Sequence, residues 1–327
     1  MMRNSKKLLT TGLSIALAVA LMYYLLSKAG FGLIVKNLML LDYRWVSLAI
    51  ALYTFDMVIR AFRWKVVLKG NDINISIWDS FLAYNLGNSL NIIIPAKMGD
   101  IARSYYLKKK FSLGYSRTLP ATFLDRVFDV LGVYVVLLFC GIYIITRTKL
   151  ATWLYYTFAA GIAALIVTVA AMEILLRRKD VIERIKNEKL KSLVQSLLEA
   201  FSGSFKDKGN FMLLLACSVV IWLCEGVFSY FIFISMGQYM NPFIIIFATM
   251  IAILTKVVPI TPGGIGVFEG TMALMLSLFG LDARTGVVVS TVNHFIMNFY
   301  TILLGIYALL KENISISAIQ QERVDEK

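Results

Sequence analysis

Apolar residues recur along the chain in stretches long enough to cross a hydrocarbon layer, about 20 residues each. Six such stretches, Leu8–Leu26, Trp45–Val67, Leu119–Ile145, Ala151–Leu176, Phe211–Met236 and Thr285–Leu310, predict six transmembrane helices. Two more apolar regions, Ile77–Leu107 and Pro242–Phe279, are interrupted at Pro95-Ala-Lys-Met-Gly99 and at Pro259-Ile-Thr-Pro-Gly-Gly-Ile-Gly266. Broken helices at membrane depth are tolerated only where the freed backbone is buried in protein or lines a cavity. The two regions therefore read as broken re-entrant hairpins in an all-α polytopic membrane protein.

Composition strengthens this picture. Of 327 residues, 59% are hydrophobic, against roughly 45–50% apolar residues in an ordinary soluble domain. The mean hydropathy is +0.74. Little chain remains for a water-soluble domain, so residues 1–327 are expected to form one membrane domain. Its parts are a first helix in 1–30, a span-hairpin-span unit in 45–145, a basic cytoplasmic loop in 177–209, a second such unit in 211–310 and a charged tail in 311–327. Arg3, Lys6 and Lys7 with the small residues Ala16–Ala20 also resemble a cleaved signal. The apolar run continues to Leu26, however, long enough to span.

The net charge of +13 raises nucleic acid as a partner, but such binding needs basic residues gathered on a folded soluble face. Here they fall in loops, on alternate sides of the spans, as the positive-inside bias requires. With the N-terminus in the cytoplasm, only Lys28, Lys36, Arg44, Arg147, Lys149 and Arg284 of the 33 basic residues are external, and Lys256 falls within the second broken region. This places both termini inside, lets the first hairpin enter and leave from the cytoplasm and the second from outside, and excludes nucleic acid. Cys140, Cys217 and Cys224 lie in apolar stretches without C-x-x-C spacing, so no zinc site or disulfide framework is implied, and no cofactor is expected.

The two units look related. A span, a hairpin broken at Pro with Gly and an acid following, and a second span occur once from inside (Pro95, Gly99, Asp100) and once from outside (Pro262, Gly266, Glu269). Inverted repeats with broken helices near the midplane are a transporter architecture. Two independent Pro-Gly breaks would leave the same trace.

Candidate chemistry concentrates between Asn85 and Asp129. Asn91, Lys97, Asp100 and Arg103 surround the first break, and Asp125, Arg126 and Asp129 follow in the next span. Asp100 with Arg103, and Arg126 with Asp129, have the i,i+3 spacing of an ion pair on one helix face. Ionisable residues at membrane depth are costly and mark functional sites, although pairs that neutralise each other or anchor helix ends give the same pattern. In the second hairpin, Gly263, Gly264 and Gly266 offer free N–H groups ahead of a helix start, where an anionic group can bind. A tight turn would use the same glycines. Glu269 would otherwise be an unpaired acid in an apolar run. Arg60 and Arg63 close the second span as interfacial anchors would. His294 sits in the last span as a proton relay or a hydrogen bond between helices, and Glu225 and Lys256 are isolated charges that would suit each other as partners. No nucleotide loop, metal cluster or Ser-His-Asp order accompanies them, so an enzyme is not expected.

Arg60-x-x-Arg63-Trp64, Asn91-x-x-x-Pro95-x-x-x-Gly99-Asp100-x-x-Arg103, Asp125-Arg126-x-x-Asp129 and Pro262-Gly-Gly-Ile-Gly266-x-x-Glu269, in this order, resemble the lysylphosphatidylglycerol synthase transmembrane, or flippase-like, family. The resemblance covers about Arg60 to Leu310. It implies a lipid flippase whose site lies between the two hairpins. Asp100 stands where many relatives carry Glu, which alters side-chain reach. No soluble transferase domain follows Leu310 in this sequence, so synthase activity is not implied. The expected ligand is a membrane lipid with an anionic or zwitterionic head, held by Lys97, Arg103 or Arg126 and the second hairpin's N–H groups, with Asn91 beside them. Asp100, Asp129 and Glu269 would balance charge, and Arg60, Arg63 and His294 are secondary candidates. The alternative is a non-transporting subunit that presents lipid to a separate lipid-modifying transferase.

Overall fold

The structure is a computed structural model that describes residues 16, 17, 19–25, 27, 30–94, 98–147, 163, 191, 195, 208–256, 260–316, 318 and 319. The expected span Ala151–Leu176, nearly all of the basic loop 177–209, the tail beyond Ile319, Pro95 to Lys97 and half of the first expected span lie outside the described residues. Among the described residues there is no strand. The helices are α1 (Phe31–Met39), α2 (Tyr43–Lys69), α3 (Ile77–Ile93), α4 (Met98–Phe111), α5 (Tyr115–Arg147), α6 (Lys208–Ser235), α7 (Pro242–Thr255), α8 (Val267–Leu278) and α9 (Ala283–Lys311), with a 3-10 turn at Pro262–Gly264. Four of them, α2, α5, α6 and α9, are long and apolar enough to cross a membrane, and they coincide with four of the six expected spans. The protein is an all-α membrane protein.

Local sequence accounts for the helix ends. Asp42, Ser76, Asn241 and Asp282 cap α2, α3, α7 and α9 by accepting backbone N–H bonds from Arg44, Asp79, Phe243 and Thr285, the preferred role of such residues. Pro242 stands at the first position of α7, where its missing N–H costs nothing. The broken regions form pairs of short helices: α3 and α4 have 17 and 14 residues, α7 and α8 have 14 and 12. At 1.5 Å per residue none of the four reaches the roughly 30 Å of a hydrocarbon core.

Both pairs are antiparallel. At one end of the first pair, Asp79 near the start of α3 meets Lys110 near the end of α4, with Nζ to Oδ1 at 2.7 Å. At the other end, Asn91 of α3 accepts the Gly99 N–H of α4 at 2.8 Å. Between these contacts Gly87 and Gly99 touch backbone to backbone: a Cβ on Gly87 would lie 2.7 Å from the Gly99 carbonyl, and one on Gly99 would strike the Gly87 carbonyl. In the second pair the stem of Lys256, after α7, lies against Gly264, before α8. Phe247 of α7 packs edge-on against Phe279 at the far end of α8, centroids 6.4 Å apart.

The helices pack in a reciprocal order. α2 lies along α6; α3 rests on α2 and on α9; α7 rests on α6 and on α5. The first hairpin's apolar core gathers Trp64, Leu86, Ala102 and Phe128, and the second gathers Ile221, Phe247, Phe268 and Met272. The turn between α7 and α8 reaches the first hairpin. A Cβ on Gly263 would lie 3.2 Å from Ile92 Cγ2 and 3.3 Å from its carbonyl oxygen.

Polarity runs inside out relative to a soluble bundle. On α9, Phe295, Phe299, Leu303 and Ile306 are exposed while Ser290, Asn293, His294 and Thr301 are buried. On α2, Phe55, Val58 and Phe62 face outward while Asp56, Arg60 and Arg63 face inward. Apolar surroundings favour this arrangement, because lipid accepts the aromatic and aliphatic surface and the interior charges find protein partners such as Asp56 with Arg60 and Asp125 with Arg63.

Candidate functional site

α2 sets Asp56, Arg60 and Arg63 on its inner face at helical spacing, and α4, α5 and α6 converge on them. Arg60 donates from Nε to Asp56 at 2.8 Å and from Nη2 to Glu225 of α6 at 2.5 Å, with its guanidinium carbon 4.7 Å from the Trp222 ring centre. Arg63 holds Asp125 (Nε, 2.9 Å) and Asp129 (Nη2, 2.7 Å) of α5 and the Ser218 hydroxyl of α6 (Nη1, 2.8 Å). Arg103 of α4 donates to the second oxygen of Asp125 at 2.9 Å, and Arg126 joins Asp129 (3.1 Å) to Asp100 (2.7 Å). Arg60 with Asp56 and Glu225, and Arg63, Arg103 and Arg126 with Asp100, Asp125 and Asp129, thus form two ion-paired groups that meet along the inner face of α2 as one ionic seam.

Several expectations change here. Arg60 and Arg63 are not interfacial anchors: they are 4% and 0% exposed, because carboxylates from α5 and α6 draw them inward. Asp100 and Arg103, three apart, do not pair; each turns to a residue of α5, as both point from α4 toward that helix. Arg126 and Asp129 do pair as their spacing predicts. Arg103 is fully buried, with its guanidinium carbon 3.8 Å from the Tyr84 ring centre, and its Nε and Nη2 find no hydrogen-bond acceptor. Asn91 closes the break by holding the Gly99 N–H and lies 3.5 Å from Asp100. Lys97 lies outside the described residues.

The second hairpin is built around Glu269. Gly266, at φ +82°, precedes α8, and the Glu269 carboxylate accepts its N–H at 2.7 Å. The other carboxylate oxygen meets His294 Nδ1 of α9 at 2.7 Å. Glu269 and His294 are 2% and 1% exposed, so the pair is a hydrogen bond between helices. Phe268 stacks on the imidazole, centroids 4.3 Å apart, and His294 Nε2 has no hydrogen-bond partner. The glycine-rich loop is less free than its sequence predicts. The Gly264 and Ile265 N–H groups close the 3-10 turn on Thr261 and Pro262, and that of Gly266 serves Glu269. The expected Glu225–Lys256 pair is absent too: Glu225 takes Arg60, and Lys256 Nζ lies 4.8 Å from the Phe268 ring centre.

Sequence reasoning did not select Asp56, Tyr84, Ser218 or Trp222, and it gave neither Asp125 nor Glu225 the partner the structure shows. Asp56 had a visible signal, an acid four residues before Arg60. Asp125 belongs to the polar region and to the motif with Arg126 and Asp129, but its partners Arg63 and Arg103 lie on other helices. Ser218, Trp222 and Glu225 lie at helical spacing on one face of α6, but their partners are more than 150 residues away.

At the open end of the first hairpin, outside the long spans, Asp79 receives bonds from Ser76 Oγ (2.6 Å), Tyr106 Oη (2.9 Å) and Lys110. Partial burial favours the neutral acid, but the Lys110, Ser76 and Tyr106 bonds outweigh it and hold this carboxyl below its ordinary range. Burial likewise opposes the Lys110 charge, and its bonds to Asp79 and Glu312 prevail and raise it.

Apolar spans around a buried ionic seam, with two broken hairpins in contact at Ile92 and Gly263, define a multi-pass α-helical membrane protein. The chain belongs to the lysylphosphatidylglycerol synthase TM region family, whose sequence model matches residues 12–305. It is 26% identical over 322 residues to UPF0104 membrane protein PH1989 of Pyrococcus horikoshii, covering 91% of this chain and 96% of that one. It is also 26% identical over 227 residues to UPF0104 membrane protein MJ1078 of Methanocaldococcus jannaschii, 69% of this chain and 95% of the relative. Glycosyltransferase AglD of Haloferax volcanii matches at 21% over 318 residues, 86% of this chain and 51% of the enzyme. No solved structure matches the chain.

Proposed function

We propose that the protein translocates an amphipathic membrane lipid, a phospholipid or a polyprenyl-linked lipid, between leaflets of the cell membrane, and catalyses no covalent reaction itself. The contact of the two broken hairpins at Ile92 and Gly263 carries this reading. It places backbone breaks from both halves together, flanked on one side by the ionic seam and on the other by Glu269 and His294, where a head group can pass out of contact with acyl chains. The reciprocal packing, α3 on α9 and α7 on α5, supports an inverted repeat, the arrangement that lets one half rock against the other. Asn91, Asp100, Arg103, Arg126, Asp129 and Glu269 are the polar side chains that a head group would meet there. With no Walker pattern in the sequence, movement is downhill or ion-coupled. The charge bias of the loops puts both termini in the cytoplasm.

The test is reconstitution of the purified protein alone in liposomes with head-labelled lipids. Transfer between leaflets well above that of empty liposomes is expected. A reversible disulfide between Ile92→Cys and Gly263→Cys should stop it, and reduction should restore it. Absence of transfer for every lipid tried would overturn the reading. The similarity to a glycosyltransferase over about half of that enzyme's length favours a second reading, a membrane subunit that presents lipid to a separate transferase. It predicts lipid binding without transfer.

A further inference from the structure

We propose that Lys256 is the cation that receives the anionic phosphate of the lipid head, at the break of the second hairpin. That the phosphate belongs to a lipid rests on the function proposed above; the subsite itself does not. Lys256 has no hydrogen bond or ion pair among the described residues, whereas Arg60, Arg63, Arg103 and Arg126 are each bound to carboxylates. In the seam every guanidinium already faces a carboxylate, two at Arg60 and three shared among Arg63, Arg103 and Arg126, so an arriving anion must compete with acceptors already in place. At Lys256 it meets an ammonium that has no carboxylate within ion-pair distance among the described residues and rests over the Phe268 ring.

The loop is shaped around this side chain. Gly264 adopts φ +76°, and a Cβ there would lie 2.6 Å from both Cγ and Cδ of Lys256. Only glycine accepts that backbone without strain, and only glycine leaves room for the lysine stem. The stem is thereby directed across the turn, and the ammonium is set over the Phe268 ring. A ring face satisfies a cation without using its hydrogen-bond donors, so the three N–H donors remain for phosphate oxygens. The same turn, Pro262–Gly264, touches Ile92 of the first hairpin, which puts the ammonium beside the proposed passage.

The test measures binding and transfer separately. Binding of fluorescent NBD-phosphatidylglycerol to the purified protein in detergent is followed by anisotropy. Transfer is followed in phosphatidylcholine vesicles doped with the same probe. K256Q and K256M should bind about tenfold more weakly or worse, the loss of a charge-assisted contact, while K256R and the exposed control K69Q bind like the wild type. Size-exclusion profiles should remain monodisperse. Unchanged binding in K256Q, or a wild-type protein that does not bind the probe, would overturn the proposal, as would aggregation of both K256Q and K256M, which would make Lys256 structural. Inorganic phosphate should not displace the probe at comparable concentration; if it does, the ligand is free phosphate and the lipid assignment falls. Binding lost in K256Q with no transfer even by the wild type would leave the subsite standing and remove the translocation function.

Discussion

The first hairpin is fastened to α5 by two ion pairs, Arg103 to Asp125 and Asp100 to Arg126, whereas the second is fastened to α9, among the described residues, through Glu269 to His294 and Ser290. The first closes its break with a side chain, Asn91 on Gly99; the second closes with a glycine turn that leaves Lys256 without an ion-pair partner. Buried ion pairs add little net stability, but removing one partner strands a charge. Under the translocation proposed above, the ion-paired hairpin would be the fixed half, and the one held by a hydrogen-bonded pair and glycines would be the half that changes partners.

The sharpest way to break this contrast is Asp125→Asn. It removes the negative charge that Arg63 and Arg103 share and turns one of the two accepting oxygens into a donor facing a guanidinium, and a loss of about 3–5 kcal/mol is expected, read as a large fall in unfolding temperature in detergent. Gly99→Ala should cost about 1–3 kcal/mol in the same measurement, because the two backbones must separate to admit the methyl group. Glu269→Gln should cost under about 1 kcal/mol, since the amide still accepts the Gly266 N–H and reaches His294. Lipid transfer should nevertheless fall at least about tenfold, a barrier change near 1.4 kcal/mol. If Glu269→Gln unfolds the protein as readily as Asp125→Asn, the two hairpins do not differ in the proposed way.

The smallest effect concerns the open end of the first hairpin. Asp79 is held below its ordinary range, so its contribution is present above the unfolded carboxylate value near 3.9 and is lost as pH falls through the lower folded value. Lys110 is raised, so its contribution is present below about 10.4 and is lost as pH rises through the folded value. Stability from this cluster should be flat between the two limbs. Asp79→Asn should weaken both limbs by a few tenths of a kcal/mol, as the partly exposed setting screens the pair. A pH titration of unfolding temperature checks this.

Much of the fold was legible in one dimension. The runs at Trp45–Val67, Leu119–Ile145, Phe211–Met236 and Thr285–Leu310 became α2, α5, α6 and α9 with small shifts at their ends, because crossing a bilayer requires a length and an apolarity that each segment carries alone. The two breaks were legible as well, because each clusters Pro with Gly within a few residues, whereas a lone Pro120 or Gly132 is carried inside α5. The candidate site was legible as a set of residues and not as a set of partners. Arg126 with Asp129 was found because i,i+3 spacing is a local property. Arg63 with Asp125 and Arg60 with Glu225 were not, since 62 and 165 residues separate them.

The sequence by itself determined that this is a multi-pass helical membrane protein with two helix breaks, and its motifs carried the family resemblance. Tertiary structure decided that Arg60 and Arg63 turn inward, that Asp100 and Arg103 both leave each other for α5, that the Gly264, Ile265 and Gly266 N–H groups go to the turn itself and to Glu269, and that Lys256 has no ion pair among the described residues. The physical reason is that hydropathy and backbone breaks act on each segment separately. The partner of a buried charge depends on which helices meet, and at membrane depth each such charge must take whatever partner that packing brings within reach.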